Sequence, residues 1–204
     1  MKMYDLFKRH EAVAISENLR DAAWGVGKAR TKELTGTIKK NSELLEYRGL
    51  QNIGKTIGSH PQIQLDHIPF KLHPPKFSSY KQGDYYQSHT DAPWMGVTRT
   101  DLSCTLWLTE DYEGGFLRVD GEEIKGKPGQ CVVYDCGSPH EVTPVTAGER
   151  ICVVTWIQSR IRDSHKRQLV SDFRKFLANF EDNQKLFVAG GQIHSALLRM
   201  WIED

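Results

Sequence analysis

Short apolar segments separated by glycine and proline turns dominate the chain from about Asp66 to Ser159, and this pattern limits the folds open to it. Apolar and polar residues alternate within the segments, which is typical of β-strands that bury one face. The pattern predicts a β-sandwich or barrel. The predicted strands are His67–Leu72, Phe77–Tyr80, Tyr86–His89, Asp101–Leu108, Phe116–Asp120, Gln130–Tyr134, Glu141–Val145 and Arg150–Gln158.

Helical patterns lie on both sides of this β region. The predicted helices are Glu11–Trp24, ended by Gly25 and Gly27; about Leu44–Ile57, ended by Gly58 and Pro61; a helix capped by Asp163 or Ser164; and about Gln192–Ile202. A short strand is suggested at residues 35–38. We therefore expect an α+β, mainly β, architecture in one domain spanning residues 1–204. Its β core would cover about 66–159, with helical flanks at 1–65 and 160–204.

Composition narrows the class of protein further. With 204 residues, 39% of them hydrophobic and 26% charged, the chain is expected to fold as a globular domain with a sizeable core. The net charge is +1, and no long basic block is present. Nucleic acid and membrane surfaces are therefore not expected partners, because binding either one needs a concentrated positive patch.

The cysteines and the hydropathy pattern indicate a compartment. The four cysteines form no CxxC pair and lie in apolar, strand-like surroundings, which favours buried reduced thiols. No stretch of about 18 apolar residues is present, and the first residues lack the apolar run of a signal peptide. These features predict a cytoplasmic protein.

A His-Thr-Asp motif ends the segment YKQGDYYQSHTD, which runs from Tyr80 to Asp91. Residues two apart on a β-strand share a face, so His89 and Asp91 can direct an imidazole and a carboxylate to one point. These are two of the three ligands in the facial triad that holds non-haem Fe(II) and leaves positions open for other ligands. The motif therefore predicts that a second histidine completes the site.

His140 is the histidine that the β region offers after the motif, and Arg150 follows it at the start of the apolar run ICVVTW. An arginine in such a run needs an anionic partner, since an unpaired buried guanidinium is very costly. Beside an iron site, its planar fork suits a carboxylate of a small diacid such as 2-oxoglutarate. The other end of that diacid would chelate iron, and O2 would take the remaining position.

Other interpretations of these residues remain open at this point. Arg150 can form an ordinary ion pair with an acidic side chain. The chain can be a non-enzymatic jelly-roll module that binds a sugar or peptide, with His89 and His140 structural or holding zinc. A cupin-like metal hydrolase would use similar ligands but would not need Arg150. The other histidines, His10, His60, His67, His73, His165 and His194, are interpreted as surface or satisfied polar residues.

Several motifs together carry a resemblance to a known family. The segment YKQGDYYQSHTD fits the pattern YxxGxxYxxHxD of prolyl-4-hydroxylase-like Fe(II)/2-oxoglutarate dioxygenases. The chain more closely resembles the PKHD-type, iron-uptake-factor-type hydroxylases of bacteria. This closer resemblance rests on residues 21–24, 99–103, 105–108, 112–115, 140–150, 156–159 and 197–201. It covers nearly the whole chain.

The resemblance implies a double-stranded β-helix (jelly-roll) core with Fe(II) on His89, Asp91 and His140. It places 2-oxoglutarate on Arg150, with Tyr80 as a further contact to this cosubstrate and Thr105 lining the same pocket. The expected activity is hydroxylation of an unidentified substrate, with 2-oxoglutarate converted to succinate and CO2. The family name suggests peptidyl proline as the substrate, and family members commonly use L-ascorbate to restore oxidised iron.

The segment from Ala92 to Thr98 departs from the family pattern, because it is shorter than in many relatives. It follows the ligand motif directly, where a substrate lid could lie. Trp94 and Met95 are expected near the entrance of the site, either in contact with substrate or in local packing. The amphipathic C-terminal helices could form the surface of a homodimer.

Overall fold

Two antiparallel β-sheets face one another and form the core of the fold. The computed structural model describes residues 1–27 and 38–203. Within this part of the chain the strands are β1 (Lys2–Asp5), β2 (Gly25–Val26), β3 (Lys39–Lys40), β4 (Ser42–Leu44), β5 (Pro69–Leu72), β6 (Lys76–Lys81), β7 (Tyr85–His89), β8 (Trp94–Met95), β9 (Thr98–Arg99), β10 (Leu102–Trp107), β11 (Tyr112–Gly114), β12 (Leu117–Val119), β13 (Glu122–Ile124), β14 (Gln130–Asp135), β15 (His140–Val142) and β16 (Val145–Ser159).

The larger sheet has the order β1-β14-β10-β16-β6-β4-β2, and β5 and β11 also pair with β16. The smaller sheet has the order β13-β12-β15-β7-β3, while β8 and β9 form a separate hairpin. Strands that are distant in sequence are therefore neighbours in both sheets. The fold is the expected α+β, mainly β, architecture with a double-stranded β-helix core.

Strand β16 crosses the centre of the larger sheet, and its pleat separates two environments. Ile151, Val153 and Ile157 point to one face and belong to the main apolar core. Arg150 and Trp156 point to the other face and line a pocket between the sheets. Because successive strand residues alternate between faces, one strand serves the core and the pocket at the same time.

Helices cover the face of the larger sheet that lies away from the pocket. In the described residues they are α1 (Arg9–Glu17), α2 (Leu50–Ser59), α3 (Pro61–His67), α4 (Ser164–Ala178) and α5 (Gln184–Trp201). Ala12, Ile53, Ile57 and Ile63 pack from the first three helices into the main core and are almost fully buried. Full burial of an isoleucine contributes about 1.5–3 kcal/mol relative to an exposed one. None of these helices is both long and apolar enough to cross a membrane.

The N-terminal part of the chain differs from its predicted secondary structure. Helix α1 ends at Glu17, well before the predicted end at Trp24, and strand β2 follows it. Residues 42–44, predicted to lead into a helix, form β4 instead, which pairs with β6. Helix α2 begins only at Leu50, after Gly49 in the left-handed region (φ 102°). Pairing with a strand from a distant part of the chain overrode the local helical pattern here.

Two expected helix terminators have other roles. Gly58 lies inside α2, and a Cβ there would come within 3.3 Å of Leu72 Cδ1, so the close approach to β5 favours glycine. Pro61 starts α3 rather than ending a helix. Proline is tolerated at the first helical position because the N–H at that position has no acceptor within the helix. Residues 35–37 of the suggested short strand lie outside the described residues.

The C-terminal helices agree with prediction at one end and differ at the other. The Asp163 side chain caps α4 by accepting a hydrogen bond from the Lys166 backbone N–H (2.9 Å), as predicted. Helix α5 begins at Gln184 instead of about Gln192. The adjacent glycines at 190 and 191 hid this first part of the helix, because glycine weakens a helical pattern. A Cβ on Gly190 would lie 2.0 Å from Leu177 Cδ2, so glycine lets α5 approach α4 closely.

Asp66 ties the N-terminal strand to the helices. Its carboxylate accepts hydrogen bonds from Lys2 Nζ (3.0 Å), the Tyr4 hydroxyl (2.9 Å), Ser171 Oγ (3.0 Å) and Lys175 Nζ. Burial favours the neutral carboxyl, but the hydrogen bonds from the two lysines and the tyrosine hold the pKa of Asp66 below its usual range. One buried carboxylate therefore joins β1, α3 and α4.

Replacing Asp66 with Asn is expected to lower the free energy of unfolding by about 3 kcal/mol at neutral pH, because two ammonium groups lose their charged acceptor. A depressed pKa in the folded state stabilises the protein above the unfolded pKa of about 3.9, and this contribution is lost as the pH falls below that value. The difference between wild type and Asp66→Asn should therefore narrow in acid. Urea unfolding measures the free energy of unfolding of each variant, and Asp182→Asn, at an exposed position, is the control. Equal stability of Asp66→Asn and wild type at neutral pH would contradict the prediction.

Candidate metal and cosubstrate site

A pocket opens between the two sheets and contains all six residues predicted to form the site. It includes about 780 Å³ of space together with its open mouth. The larger sheet contributes alternate residues of β6, β10, β14 and β16. The smaller sheet contributes residues of β7, β12 and β15. The predicted residues among the lining are His89, Asp91, His140, Arg150, Tyr80 and Thr105.

His89, Asp91 and His140 converge at one end of this pocket. His89 ends β7 and lies directly opposite His140, which begins β15. Asp91 follows two residues later and is fixed by a hydrogen bond from its backbone N–H to the Cys136 carbonyl (3.1 Å). One nitrogen or oxygen atom from each of the three side chains lies within 4.8 Å of the other two. The predicted second histidine, His140, is therefore brought to the motif by strand pairing.

Hydrogen bonds set the tautomers of both histidines. Nδ1 of His89 lies 2.8 Å from the Gln87 carbonyl, and Nδ1 of His140 lies 2.9 Å from the Ser138 carbonyl. A carbonyl oxygen can only accept, so each Nδ1 carries a proton, and in the neutral imidazole the lone pair then lies on Nε2. Fixing of one ring nitrogen by a carbonyl is the usual support for a metal-binding histidine.

Burial and charge keep His89 neutral. Burial, followed by the neighbouring His140, lowers the pKa of His89 to about 4. The imidazole is therefore uncharged at neutral pH, which is the form that binds a metal ion. The ring of Tyr86 stacks on His89 with 3.7 Å between ring centroids. This contact fixes the plane of the imidazole.

His89, Asp91 and His140 form no hydrogen bonds to one another. Asp91 Oδ2 lies 3.6 Å from His140 Nε2, and Asp91 Oδ1 lies 4.0 Å from His89 Nε2. Both distances exceed that of a hydrogen bond, and with the tautomers above, all three groups present lone pairs to one another. A cation at their centre would remove this repulsion. Two neutral imidazoles and one carboxylate fit the facial triad of Fe(II), with positions left for other ligands.

Ser103 orients the carboxylate. Its Oγ donates a hydrogen bond to Asp91 Oδ2 and also lies 3.1 Å from the Cys136 thiol. Ser103 stands on β10 directly opposite Trp156 of β16. The period of two predicts that Ser103 faces the pocket, but its bond to Asp91 depends on how β10 lies beneath the ligand motif.

Arg150 lies at the other end of the pocket and is 1% exposed. Its Nη1 lies 3.1 Å from Cys152 Sγ, and its guanidinium carbon lies 5.3 Å from the centre of the Tyr80 ring. Nε has no hydrogen-bond partner, and within residues 1–27 and 38–203 no carboxylate pairs with this side chain. A buried guanidinium without a counter-ion is costly, so the structure favours an anionic ligand over an ordinary ion pair.

Tyr80 and Thr105 both line the pocket. Tyr80 lies directly opposite Arg150, and Thr105 lies opposite Val154 on the same face. Trp107 shares this face but packs in an apolar cluster with Leu117 and Tyr134 and does not itself line the pocket. Burial raises the pKa of Tyr80 far above its usual value, so its hydroxyl remains a donor.

The segment after the ligand motif forms the β8–β9 hairpin beside the pocket. Met95 is buried, lines the pocket and packs with Cys136 and Trp156. Trp94 is 57% exposed. Met95 therefore takes the local packing role, whereas Trp94 is exposed on the surface.

Several pocket residues were not assigned from the sequence, among them Lys39, Lys76 and Trp156. Lys39 belongs to the smaller sheet and Lys76 to the larger one. No local motif connects them, because they meet only when the two sheets face each other.

Comparisons with known proteins agree with this geometry. Residues 75–158 match the model of the 2OG-Fe(II) oxygenase superfamily. A PKHD-type hydroxylase of Janthinobacterium sp. (strain Marseille) is 34% identical over 94% of this chain and 93% of its own length. A PKHD-type hydroxylase of Herminiimonas arsenicoxydans is 34% identical over 94% of each chain.

Solved structures share the fold. A prolyl-4-hydroxylase of Pseudomonas putida superposes with a TM-score of 0.56 at 24% identity, over 78% of this chain and 92% of that one. A prolyl hydroxylase of Trichoplax adhaerens, in complex with a peptide fragment of the oxygen degradation domain of hypoxia inducible factor, superposes with a TM-score of 0.58 at 15% identity. That alignment covers 83% of this chain and 86% of the other.

Ser103→Ala is expected to weaken Fe(II) binding about 10- to 100-fold, because Asp91 loses the donor that fixes its orientation. Anaerobic titration with Fe(II), followed by equilibrium dialysis, measures the affinity. Ser164→Ala, at the exposed start of α4, is the matched control and should bind Fe(II) as the wild type does. Unchanged affinity in Ser103→Ala would show that Asp91 is held without this hydrogen bond.

Proposed function

Because the chain belongs to the PKHD-type hydroxylases of the 2OG-Fe(II) oxygenase superfamily, we propose that it hydroxylates a C–H bond of a separate substrate. The protein is an enzyme of the Fe(II)- and 2-oxoglutarate-dependent dioxygenase class. One oxygen atom of O2 would enter the substrate as a hydroxyl group. The other would enter succinate, as 2-oxoglutarate loses CO2. The observation that carries the proposal is the convergence of His89, Asp91 and His140 in the same pocket as Arg150, which has no carboxylate partner in the part of the chain that the structure describes.

The proposed iron ligands are His89 Nε2, His140 Nε2 and one carboxylate oxygen of Asp91. These atoms converge, and hydrogen bonds at both Nδ1 atoms and from Ser103 to Asp91 support their orientation. Bound Fe(II) supplies the reduction of O2 coupled to the oxidation of 2-oxoglutarate. The role of the protein is to fix three ligands and leave the remaining positions open.

The proposed anchor for 2-oxoglutarate is Arg150, whose planar fork can hold the carboxylate far from iron. The Tyr80 hydroxyl is buried and protonated beside it, so it can donate a further hydrogen bond. Thr105 lines the same pocket and is proposed as a weaker contact to the cosubstrate. Together these groups would orient the diacid along the pocket.

The alternatives to a dioxygenase have less support. A binding module or a metal hydrolase has no use for a buried arginine that has no carboxylate partner among the described residues and lies in the same pocket as the triad. The relatives at about a third identity are, moreover, named hydroxylases. Both lines of support favour a dioxygenase.

Peptidyl proline is the proposed substrate class that the neighbours suggest. The two prolyl hydroxylases share this fold, and one of them holds a peptide. In this chain the hairpin from Ala92 to Thr98, with the exposed Trp94, is the proposed contact for the part of the substrate that lies outside the pocket.

Further features are proposed on narrower grounds. A cytoplasmic location is supported by four buried, unpaired cysteines. Ascorbate as an activator is supported by the family resemblance alone. A homodimer is supported by exposed apolar side chains on α4 and α5, such as Phe176 and Ile193. Residues 1–204 are proposed to form one domain, supported by the pairing of β1 with β14 across the sheet.

Asp91→Ala is expected to abolish conversion of 2-oxoglutarate to succinate, because the charged ligand of the triad is lost. Succinate release with Fe(II), 2-oxoglutarate and O2 is the measurement. Asp111→Ala, an exposed change in a loop, should retain the wild-type rate. Normal turnover in Asp91→Ala would contradict the assignment of this residue as a ligand.

Arg150→Gln is expected to raise the KM for 2-oxoglutarate about 100-fold, since charge-assisted hydrogen bonds contribute about 1.5–3 kcal/mol each. The same succinate assay gives KM and kcat separately, and thermal unfolding shows whether the variant is folded. Arg118→Gln, at a half-exposed ion pair of the smaller sheet, serves as control. A folded Arg150→Gln with unchanged KM would place the cosubstrate elsewhere.

A further inference from the structure

Three charged groups at the rim of the pocket carry more positive than negative charge. Lys39 Nζ and Lys76 Nζ both donate to the same oxygen, Oε1 of Glu43; for Lys76 the distance is 2.6 Å. Only 6% of the Lys39 side chain and 16% of the Lys76 side chain are exposed. Two ammonium groups share one carboxylate, so this rim cluster of Lys39, Glu43 and Lys76 has a net charge of +1.

The rim cluster joins the two sheets. Lys39 lies on β3, opposite Tyr86 of the smaller sheet, and its Nζ stands 4.8 Å from the centre of the Tyr86 ring. Glu43 and Lys76 belong to β4 and β6 of the larger sheet. Both lysines also line the pocket. The positive charge of the rim cluster therefore lies at the pocket wall, where it can contact a ligand.

Each ammonium group has unused donors. An ammonium group has three N–H donors, and Glu43 is the acceptor seen for each lysine within the described part of the chain. Burial, followed by the neighbouring Lys76, lowers the pKa of Lys39 to about 8, which shows that the cluster disfavours its second positive charge. An added anion would relieve this cost.

Trp156 adds a neutral donor beside the lysines. Trp156 is 6% exposed, and its Nε1–H is buried without a hydrogen-bond partner in the residues that the structure describes. The ring lines the pocket, and Lys76 Nζ lies 5.2 Å from its centre. Buried indole N–H groups usually find an acceptor, so this one marks a place for a ligand oxygen.

Lys76 of the rim cluster pairs with Val154 of β16, four residues beyond Arg150 or about 13 Å along the strand. Trp156 stands six residues beyond Arg150, about 20 Å along the strand. The five carbons of 2-oxoglutarate are joined by four bonds of about 1.5 Å each, so one molecule spans only about 6 Å. The anion at the rim is therefore a second one.

We propose that the primary substrate carries a carboxylate, and that this group binds at the rim cluster to Lys39 and Lys76 with Trp156 Nε1–H as a third donor. The inference rests on the proposed function, because it takes Arg150 as the anchor of 2-oxoglutarate. It restricts the substrate to acids whose oxidised carbon lies between the rim and the iron ligands. A small free acid and an acidic side chain on a peptide present the same group.

The test uses calorimetric titration of the holoenzyme, with Fe(II) and saturating 2-oxoglutarate, under anaerobic conditions that prevent turnover. The probes are N-acetylglycine and its amide, N-acetylglycinamide, which differ in charge but hardly in shape. The acid is expected to bind about tenfold more tightly than the amide, as loss of one charge-assisted contact implies. A second pair, a short blocked peptide with Glu or Gln at its centre, tells a peptide-borne carboxylate from a free acid.

Three variants test whether the preference for the acid over the amide arises at the rim cluster. Lys76→Gln should abolish the discrimination between acid and amide; Lys39 still pairs with Glu43 in this variant, so folding should be retained. Trp156→Phe, which keeps an aromatic ring and removes the N–H donor, should reduce the discrimination between acid and amide. Lys71→Gln, an exposed lysine on the neighbouring β5, should leave it intact. The KM for 2-oxoglutarate should change less than twofold in all three variants.

Four results would overturn the inference: equal binding of acid and amide, no detectable binding of the acid, discrimination that survives in Lys76→Gln, or displacement of 2-oxoglutarate by the acid. Succinate release in air is measured separately on the same preparations. Loss of that activity in the wild type would refute the proposed function itself. Normal succinate release without discrimination would refute only the rim site.

Discussion

The pleat of β16 is the constraint on which the rest of the structure depends. Alternate residues of this 15-residue strand enter the apolar core, while the others line the pocket. The core residues hold the strand in register with β10 and β6, and this register places Tyr80 beside Arg150 and Thr105 beside Val154. A shift by one residue would exchange the two faces, so packing of the core and geometry of the site cannot vary separately.

The pocket holds one group of polar side chains at each end. At one end Arg150 is buried without a counter-ion among the described residues, and at the other end His89, Asp91 and His140 converge without hydrogen bonds to one another. Both arrangements are unfavourable in an isolated protein and become favourable with an anion and a cation bound. The pocket side of the sheets is therefore arranged for ligand binding, whereas the apolar side stabilises the fold. Asp66, in contrast, is a buried charge whose partners are complete, and its role is to join β1 to the helices.

The two sheets contribute unequally to this chemistry. The smaller sheet holds both histidines through the pairing of β7 with β15, so one cross-strand pair fixes the distance between two ligands. The larger sheet supplies Ser103, which fixes the orientation of Asp91, and the arginine at the far end. The rim cluster of Lys39, Glu43 and Lys76 lies where the sheets come together, which makes it sensitive to the same packing that forms the pocket.

The sequence by itself determined the residues whose roles follow from local spacing. His89 and Asp91 share a strand face by a period of two, Arg150 stands out in an apolar run, and Asp163 caps a helix by a local hydrogen bond. Tertiary structure decided which distant groups meet: His140 opposite His89, Ser103 beneath Asp91, and Lys39 beside Lys76. It also converted residues predicted to lead into a helix into strand β4, and extended α5 back to Gln184 through two glycines. Periodicity reports only which face a residue occupies, whereas these contacts depend on strand order and sheet packing, which no local pattern records.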